Sequence, residues 1–191
     1  MTNPQLVLAS ASPRRSELLA SIGLTFTVDP PDIDETPEPG EIPRDYVRRL
    51  SQLKAAAISG DIVIAADTTV VLGDSILGKP TDTADARRIL QMLSGSPHEV
   101  LTGVTVRAAT ESTTAVVSTI VEFIELEAAD IEWYVDSGEP MDKAGAYAIQ
   151  GAGGSFVRRI SGSVTNVIGL PVAETISMLA ELGHPATSLR T

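Results

Sequence analysis

Two kinds of side chain recur at turns and element ends of this 191-residue sequence, and together they suit phosphate chemistry. The segment Ser10-Ala-Ser12-Pro13-Arg14-Arg15 sets two hydroxyls and two guanidiniums at what reads as a strand-to-helix junction. Free backbone N–H groups at a helix start suit an anionic, phosphate-like ligand, and arginine grips phosphate oxygens bidentately. The plainer alternative is a capped helix with exposed arginines, but two cations in a first turn oppose the helix dipole and call for an anion. Carboxylates supply the other half. Asp67 ends a wholly apolar run, and Glu35 lies in an acidic loop between Asp34 and Thr36. A carboxylate at the carboxyl edge of a strand is where α/β proteins commonly bind ligands, although a turn-forming aspartate would look the same. Carboxylates hold a hard cation while Lys and Arg neutralise phosphate oxygens.

The elements that must position these groups follow from periodicity. Gln5 to Ala9 reads as a buried strand; Ser12 as N-cap and Pro13 at the first helical position open a helix closed by Gly23. Pro30 to Pro43, rich in prolines and acids, reads as an extended loop. In the helix after Pro43, Tyr46, Val47, Leu50, Leu53 and Ala57 recur at three- and four-residue steps. Lys54 therefore falls on the margin of the apolar face and not on the solvent side. Ile62 to Ala66 predicts a central strand ending at Asp67, continued by an extended Thr69 to Leu72 and a Gly73–Asp74 turn. Asp82 or Thr83 caps a helix through Leu93, and Val100–Val106 and Ala115–Leu126 predict two long antiparallel strands. A helix around Ile131 to Val135 stops at Gly138, short strands and glycine turns fill Gly145 to Val167, and Pro171 opens a last helix to Leu182. The tail from His184 is expected to fray. Strands mixed with helices throughout predict an α/β or α+β domain with a mixed sheet, in one domain over residues 1–191.

Several weaker patterns resolve towards structure. Gly73 to Lys79 matches the start of a P-loop, but Pro80 replaces the hydroxyl that would touch magnesium; the glycines read as turns, and Lys79 stays a phosphate-binding candidate. Gly151-Ala-Gly153-Gly154 lacks dinucleotide spacing and reads as a glycine-rich hairpin. His98 either contacts phosphate or caps a turn, and no nucleophile-elbow motif supports a serine triad built on it. Asp142, Lys143 and Gln150 are polar loop residues. A net charge of −11 argues against nucleic-acid polymers and anionic membranes as partners. The absence of cysteine excludes disulfides, thiolate metal sites and a cysteine nucleophile, and fits a reducing compartment. No apolar run approaches the length of a membrane span, and Met-Thr-Asn-Pro lacks a basic region and long apolar stretch, so a soluble cytoplasmic protein is expected.

Taken together, Ser10-Ala-Ser-Pro-Arg14-Arg15, Asp34-Glu35-Thr, Ala66-Asp67-Thr68, Leu77-Gly78-Lys79-Pro80, Leu93-Ser94-Gly95 with His98, Leu101-Thr102-Gly103, Gly138-Glu-Pro-Met-Asp142-Lys143-Ala-Gly145-Ala-Tyr147, Ile149-Gln150-Gly151 and Asn166-Val-Ile-Gly-Leu-Pro171 resemble the Maf family. The resemblance runs from Leu6 to about Leu182. It implies an α/β fold similar to inosine triphosphate pyrophosphatases, with a long mixed sheet, flanking helices, two lobes around a central cleft, and a homodimer. It also implies hydrolysis of nucleoside triphosphates to monophosphate and pyrophosphate with Mg²⁺ or Mn²⁺. On that match Asp67 resembles the proton acceptor and Glu35 its partner carboxylate, the two being the expected metal ligands. Lys54 and Lys79 resemble the essential lysines, and Ser10, Ser12 and Arg15 the phosphate contacts. Arg14, Thr68 and Gln150 match the branch that prefers dTTP and UTP; His98, Asp142 and Lys143 join the expected substrate-binding set. A non-catalytic nucleotide-binding regulator of septum formation, and a phosphatase acting at the γ position, are the competing classes.

Overall fold

The computed structural model describes residues 4–190. Its strands are β1 (Leu6–Ala9), β2 (Thr27–Val28), β3 (Ile62–Leu72), β4 (Ser75–Leu77), β5 (Pro97–Ala108), β6 (Glu111–Phe123) and β7 (Val157–Ser161). The helices are α1 (Pro13–Ser21), α2 (Pro43–Ala57), α3 (Thr83–Leu93), α4 (Ala128–Asp136), α5 (Val164–Ile168), α6 (Val172–Glu181) and α7 (Ala186–Leu189). The strands form a seven-stranded sheet in the order β2-β1-β3-β5-β6-β7, with β4 also paired to β3. β1 runs parallel to β2 and β3, whereas β4 and β7 are antiparallel to their partners, so the sheet is mixed and flanked by helices. The chain divides into two compact units: one of residues up to Asp67, Thr102–Val117 and from Gly169, the other of Thr68–Leu101 and Ser118–Ile168.

The first unit shows why its strands are apolar on both faces. Leu6, Leu8, Ile62, Ile64 and Ala66 pack with Leu19 of α1, Met178 and Leu179 of α6 and Leu189 of α7. The alternate residues Val7, Ala9, Val63 and Ala65 pack against Ala55 and Ile58 at the end of α2. A parallel pair covered on both sides needs such continuous apolar runs. Each buried aliphatic side chain contributes roughly 1.5–3 kcal/mol relative to exposure. α2 lies so close to β5 that a Cβ on Gly103 would stand 2.2 Å from the carbonyl oxygen of Val47. Only glycine permits that approach.

The second unit is built on an aromatic and aliphatic core. Ala86, Ile89, Leu90 and Leu93 of α3 face it, with Phe123, Ile131, Tyr134, Tyr147 and Phe156. Asp82 caps α3 by accepting from the Asp85 N–H at 2.8 Å. Asn166 of α5 donates to the Val100 carbonyl and to Thr119 Oγ1, both at 3.0 Å, and ties its helix to two strands.

Four expectations change. β3 does not stop at Asp67 but runs on to Leu72, because Val70 and Val71 continue the buried pattern. The two long strands extend to Ala108 and from Glu111, leaving only a tight turn, with Ala109 at φ 51. Ala152–Phe156 is a 3-10 turn and not a hairpin, the N–H groups of Ala152 and Gly153 being taken up by the Glu139 carboxylate and that of Gly154 by the Gly151 carbonyl. The tail from His184 is not frayed: α7 buries Ala186 and Leu189, and Thr25 donates to the Leu189 carbonyl. Of the N-terminal Met-Thr-Asn-Pro, the first three residues lie outside the described ones.

Candidate active site

The alternation along β3 aims Asp67. Ile62, Ile64 and Ala66 face one layer, and Val63 and Ala65 face the end of α2. Asp67 shares the side of Val63 and Ala65, and Lys54 rises from the same helix as Ala55. Lys54 Nζ donates to Asp67 Oδ1 at 2.7 Å, with both residues buried. The same ammonium lies 2.7 Å from Oε1 of Glu35, whose side chain is half exposed. One lysine thus gathers the two carboxylates that the sequence marked.

Burial pushes the Asp67 carboxyl above the usual aspartate range, and the ammonium of Lys54 opposes that shift without cancelling it. A carboxylate raised in this way is a better proton acceptor. Arg15 belongs to the same electrostatic set: burial lowers its pKa, while Asp67 and Glu35 pull the other way. Its guanidinium is fixed by Nε donating to the Gly169 carbonyl at 2.7 Å and by Nη1 donating to Ser10 Oγ at 2.9 Å. Ser10 is buried and also accepts from the Ser12 N–H at 3.2 Å. Ser12 occupies the N-cap position of α1, but its side chain makes no capping bond. The first turn of α1 holds Arg14 and Arg15 and no acid, so the conflict with the helix dipole read from the sequence is present.

The acidic loop is pinned by residues that the sequence reading did not assign to the site. Tyr46 Oη donates to the main-chain carbonyl of Glu35 at 3.0 Å, and Arg49 Nη2 to that of Thr36 at 3.2 Å. Arg49 also grips Glu41 with two bonds of 2.7 Å. Burial, then the charges of Asp67 and Glu35, push the Tyr46 phenol up to about 12, so it remains a donor. The signal was present: Tyr46 and Arg49 are three residues apart on one side of α2, and Lys54 lies eight residues, two steps of four, after Tyr46.

The other sequence candidates lie in the second unit. Thr68 is half-buried on β3, Lys79 is exposed after β4, and Gln150 is exposed in a turn. Lys143 donates to the Glu139 carbonyl at 2.9 Å and pairs with the Asp142 carboxylate. His98 departs from expectation. It is on β5, buried, with Nε2 2.9 Å from Tyr147 Oη and its ring edge-on to Phe123 at 4.9 Å. Burial lowers its pKa to about 4. A neutral imidazole enclosed by aromatics is a core residue, and the phosphate contact expected of it has no support here.

A buried ammonium between two carboxylates, with a guanidinium anchored at a helix start, brings together the residue types that phosphate chemistry uses. The profile of the family described as Maf-like protein matches residues 5–182, and the chain belongs to that family. It is 58% identical over 186 residues to a dTTP/UTP pyrophosphatase of Anaeromyxobacter dehalogenans strain 2CP-C, covering 95% of this chain and 96% of that protein. Similar relatives named dTTP/UTP pyrophosphatase come from Shewanella oneidensis, at 53% identity over 93% of this chain and 98% of the relative, and from Myxococcus xanthus, at 52% over 94% and 93%. Among solved structures, the Staphylococcus aureus Ham1 protein aligns with a TM-score of 0.44 and 17% identity, covering 62% of this chain and 71% of that one.

Proposed function

We propose that this chain hydrolyses nucleoside triphosphates, dTTP and UTP foremost, to the monophosphate and pyrophosphate. The observation that carries the reading is Lys54, held 2.7 Å from both Glu35 and Asp67. In the reaction a water oxygen bonds to the α-phosphorus, the bond from that phosphorus to the bridging oxygen breaks, and pyrophosphate leaves. Asp67 orients the water and accepts its proton. Arg15, Arg14 and Lys54 neutralise charge developing on the phosphate oxygens.

Glu35 and Asp67 fit a hard divalent cation, because magnesium is commonly held by one or two carboxylates and completed by phosphate oxygens and water. Glu35 Oε1 and Asp67 Oδ1 converge on one point, each 2.7 Å from Lys54 Nζ, so an ion held by the pair would be completed by substrate oxygens and water. When bound, Mg²⁺ or Mn²⁺ supplies Lewis-acid neutralisation of the phosphates. The proposal extends, on the resemblance, to Lys79 as a second catalytic lysine, to Ser10 and Ser12 as phosphate contacts and to Thr68, Asp142, Lys143 and Gln150 as nucleotide-binding residues. It takes residues 1–191 as one functional domain of a cytoplasmic homodimer that binds neither nucleic-acid polymers nor membranes. No helix among the described residues is long and apolar enough to cross a membrane.

Product analysis separates this reading from its competitors. Purified protein is incubated with dTTP or UTP in Mg²⁺ or chelator, and products are resolved by anion exchange. Monophosphate and pyrophosphate in equal amounts, lost in chelator, are expected. Diphosphate with orthophosphate would identify a γ-phosphatase, and binding without turnover would identify a regulator.

A further inference from the structure

Gln150 is exposed, yet the backbone on both sides of it is held by two side chains of the same unit. On one side the Ala148 N–H donates to Tyr134 Oη at 3.0 Å. On the other, the N–H groups of Ala152 and Gly153 donate to Glu139 Oε2 and Oε1, at 3.1 and 3.2 Å. The two holders are joined, because Tyr134 Oη donates to Glu139 Oε1 at 2.7 Å. One phenol and one carboxylate therefore bracket residues 148–153 from both ends.

The fit leaves no slack. A Cβ on Gly151 would stand 2.4 Å from Glu139 Oε2, and one on Gly153 would stand 2.5 Å from Tyr134 Oη. Tyr134 is wholly buried, edge-on to Phe156 at 5.1 Å, so its hydroxyl is fixed by the core. Glu139 is secured in turn by Lys143, which donates to its main-chain carbonyl. Burial alone would raise the pKa of Glu139, but bonds from Tyr134, Gly153 and Ala152 outweigh it and leave the group ionised. Bonds to an ionised acceptor are roughly twice as strong as neutral ones.

We propose that Tyr134 and Glu139 are positioning residues for base selectivity, holding the backbone on both sides of Gln150 so that its side chain approaches the pyrimidine edge from one fixed place. The inference rests on the reading of Gln150 as the base-contacting residue, whose amide can donate and accept at the N3 and O4 edge of uracil or thymine. Cytosine exchanges that O4 acceptor for an amino donor, so a Gln150 whose backbone shifted would lose the fixed distance to the base edge on which discrimination depends.

The test is the ratio of kcat/KM for UTP to that for CTP, measured for wild type, Tyr134→Phe, Glu139→Gln and Gln150→Ala. A loss of folded protein scales both nucleotides equally and cancels in the ratio, so a merely structural role would not move it. Wild-type preference for UTP is expected to fall about tenfold in both Tyr134→Phe and Glu139→Gln, the size of one well-placed polar discrimination. Gln150→Ala should fall at least as far. A collapsed ratio in Gln150→Ala with wild-type ratios in the other two would overturn the positioning role while leaving Gln150 as the reader. An unchanged ratio in Gln150→Ala would overturn the reading of Gln150 and the positioning proposal with it. Should Tyr134→Phe fail to fold, Glu139→Gln decides alone, since it keeps the side-chain size and one acceptor.

Discussion

The hydroxyl of Tyr46 donates to the main-chain oxygen of Glu35 at 3.0 Å, so a side chain of α2 sets the place of a carboxylate that lies eleven residues earlier in the acidic loop. The helix that delivers Lys54 also fixes the loop that delivers Glu35. Geometry between the two is therefore determined by one rigid element.

Tyr46→Phe tests that link. The substitution removes one hydrogen bond of about 1 kcal/mol and leaves the ring in place. kcat/KM for dTTP is expected to drop about fivefold and the Mg²⁺ concentration for half-maximal rate to rise, with little change in melting temperature. Unchanged cation dependence would show that the loop is held in other ways.

Removing Lys54 is expected to harm stability as well as activity. Its ammonium is buried against Asp67. Taking away one partner of a buried pair costs roughly 3–5 kcal/mol, because the other charge is left uncompensated. Lys54→Met should therefore melt well below wild type and lose at least about tenfold in kcat/KM. The double variant Lys54→Met, Asp67→Asn should regain much of the melting temperature and none of the activity. Thermal denaturation and steady-state kinetics on the three proteins check both halves.

Asp67→Asn on its own should leave less than about a tenth of wild-type kcat, a deficit above ~1.4 kcal/mol. The amide keeps the side-chain size and can still accept from Lys54, but it cannot take a proton. Because Asp67 sits within β3 and not at its end, circular dichroism should accompany the kinetics. Retained turnover would transfer the base role to Glu35.

His98 gives the fold a pH dependence of its own. Its folded-state pKa, about 4, lies below the ordinary histidine value near 6.5. The unfolded chain therefore binds the proton first as pH falls. Stability is full above about pH 6.5, declines from there, and the loss of about 3 kcal/mol is complete only below about pH 4. Urea titrations at pH 7, 6 and 5 should show the decline. His98→Gln, which cannot titrate yet can still bond Tyr147, should flatten it.

Where a residue's place depended on local periodicity, the sequence was sufficient. Lys54 was placed on the margin of an apolar face, and the structure buries it there; the cap at Asp82 and the inward face of α3 followed from spacing in the same way. Misreadings arose where long-range packing decides. Asp67 looked like a strand terminus because a carboxylate interrupts an apolar run, whereas Lys54, thirteen residues back, and the charge of Arg15 make it tolerable inside one. His98 looked available because nothing near it in the chain reveals Phe123 or Tyr147. The turn around Gln150 resembled a hairpin because Glu139, which absorbs its N–H groups, sits more than ten residues away.

The charges of Glu35, Asp67, Lys54, Arg14 and Arg15 sum to only +1, three positive against two negative, within a chain whose net charge is −11. So small a positive charge is outweighed at a distance, and the encounter of a polyanion with this protein is governed by repulsion from the whole surface until the last few ångströms. Screening shortens the reach of that repulsion, from about 30 Å at 0.01 M salt to about 8 Å at 0.15 M. Association here should quicken as salt is raised through that range, the reverse of the usual electrostatically steered capture. Capture is thereby left to contact: the guanidinium over the helix start and the lysine between its carboxylates select a phosphate only once it has arrived.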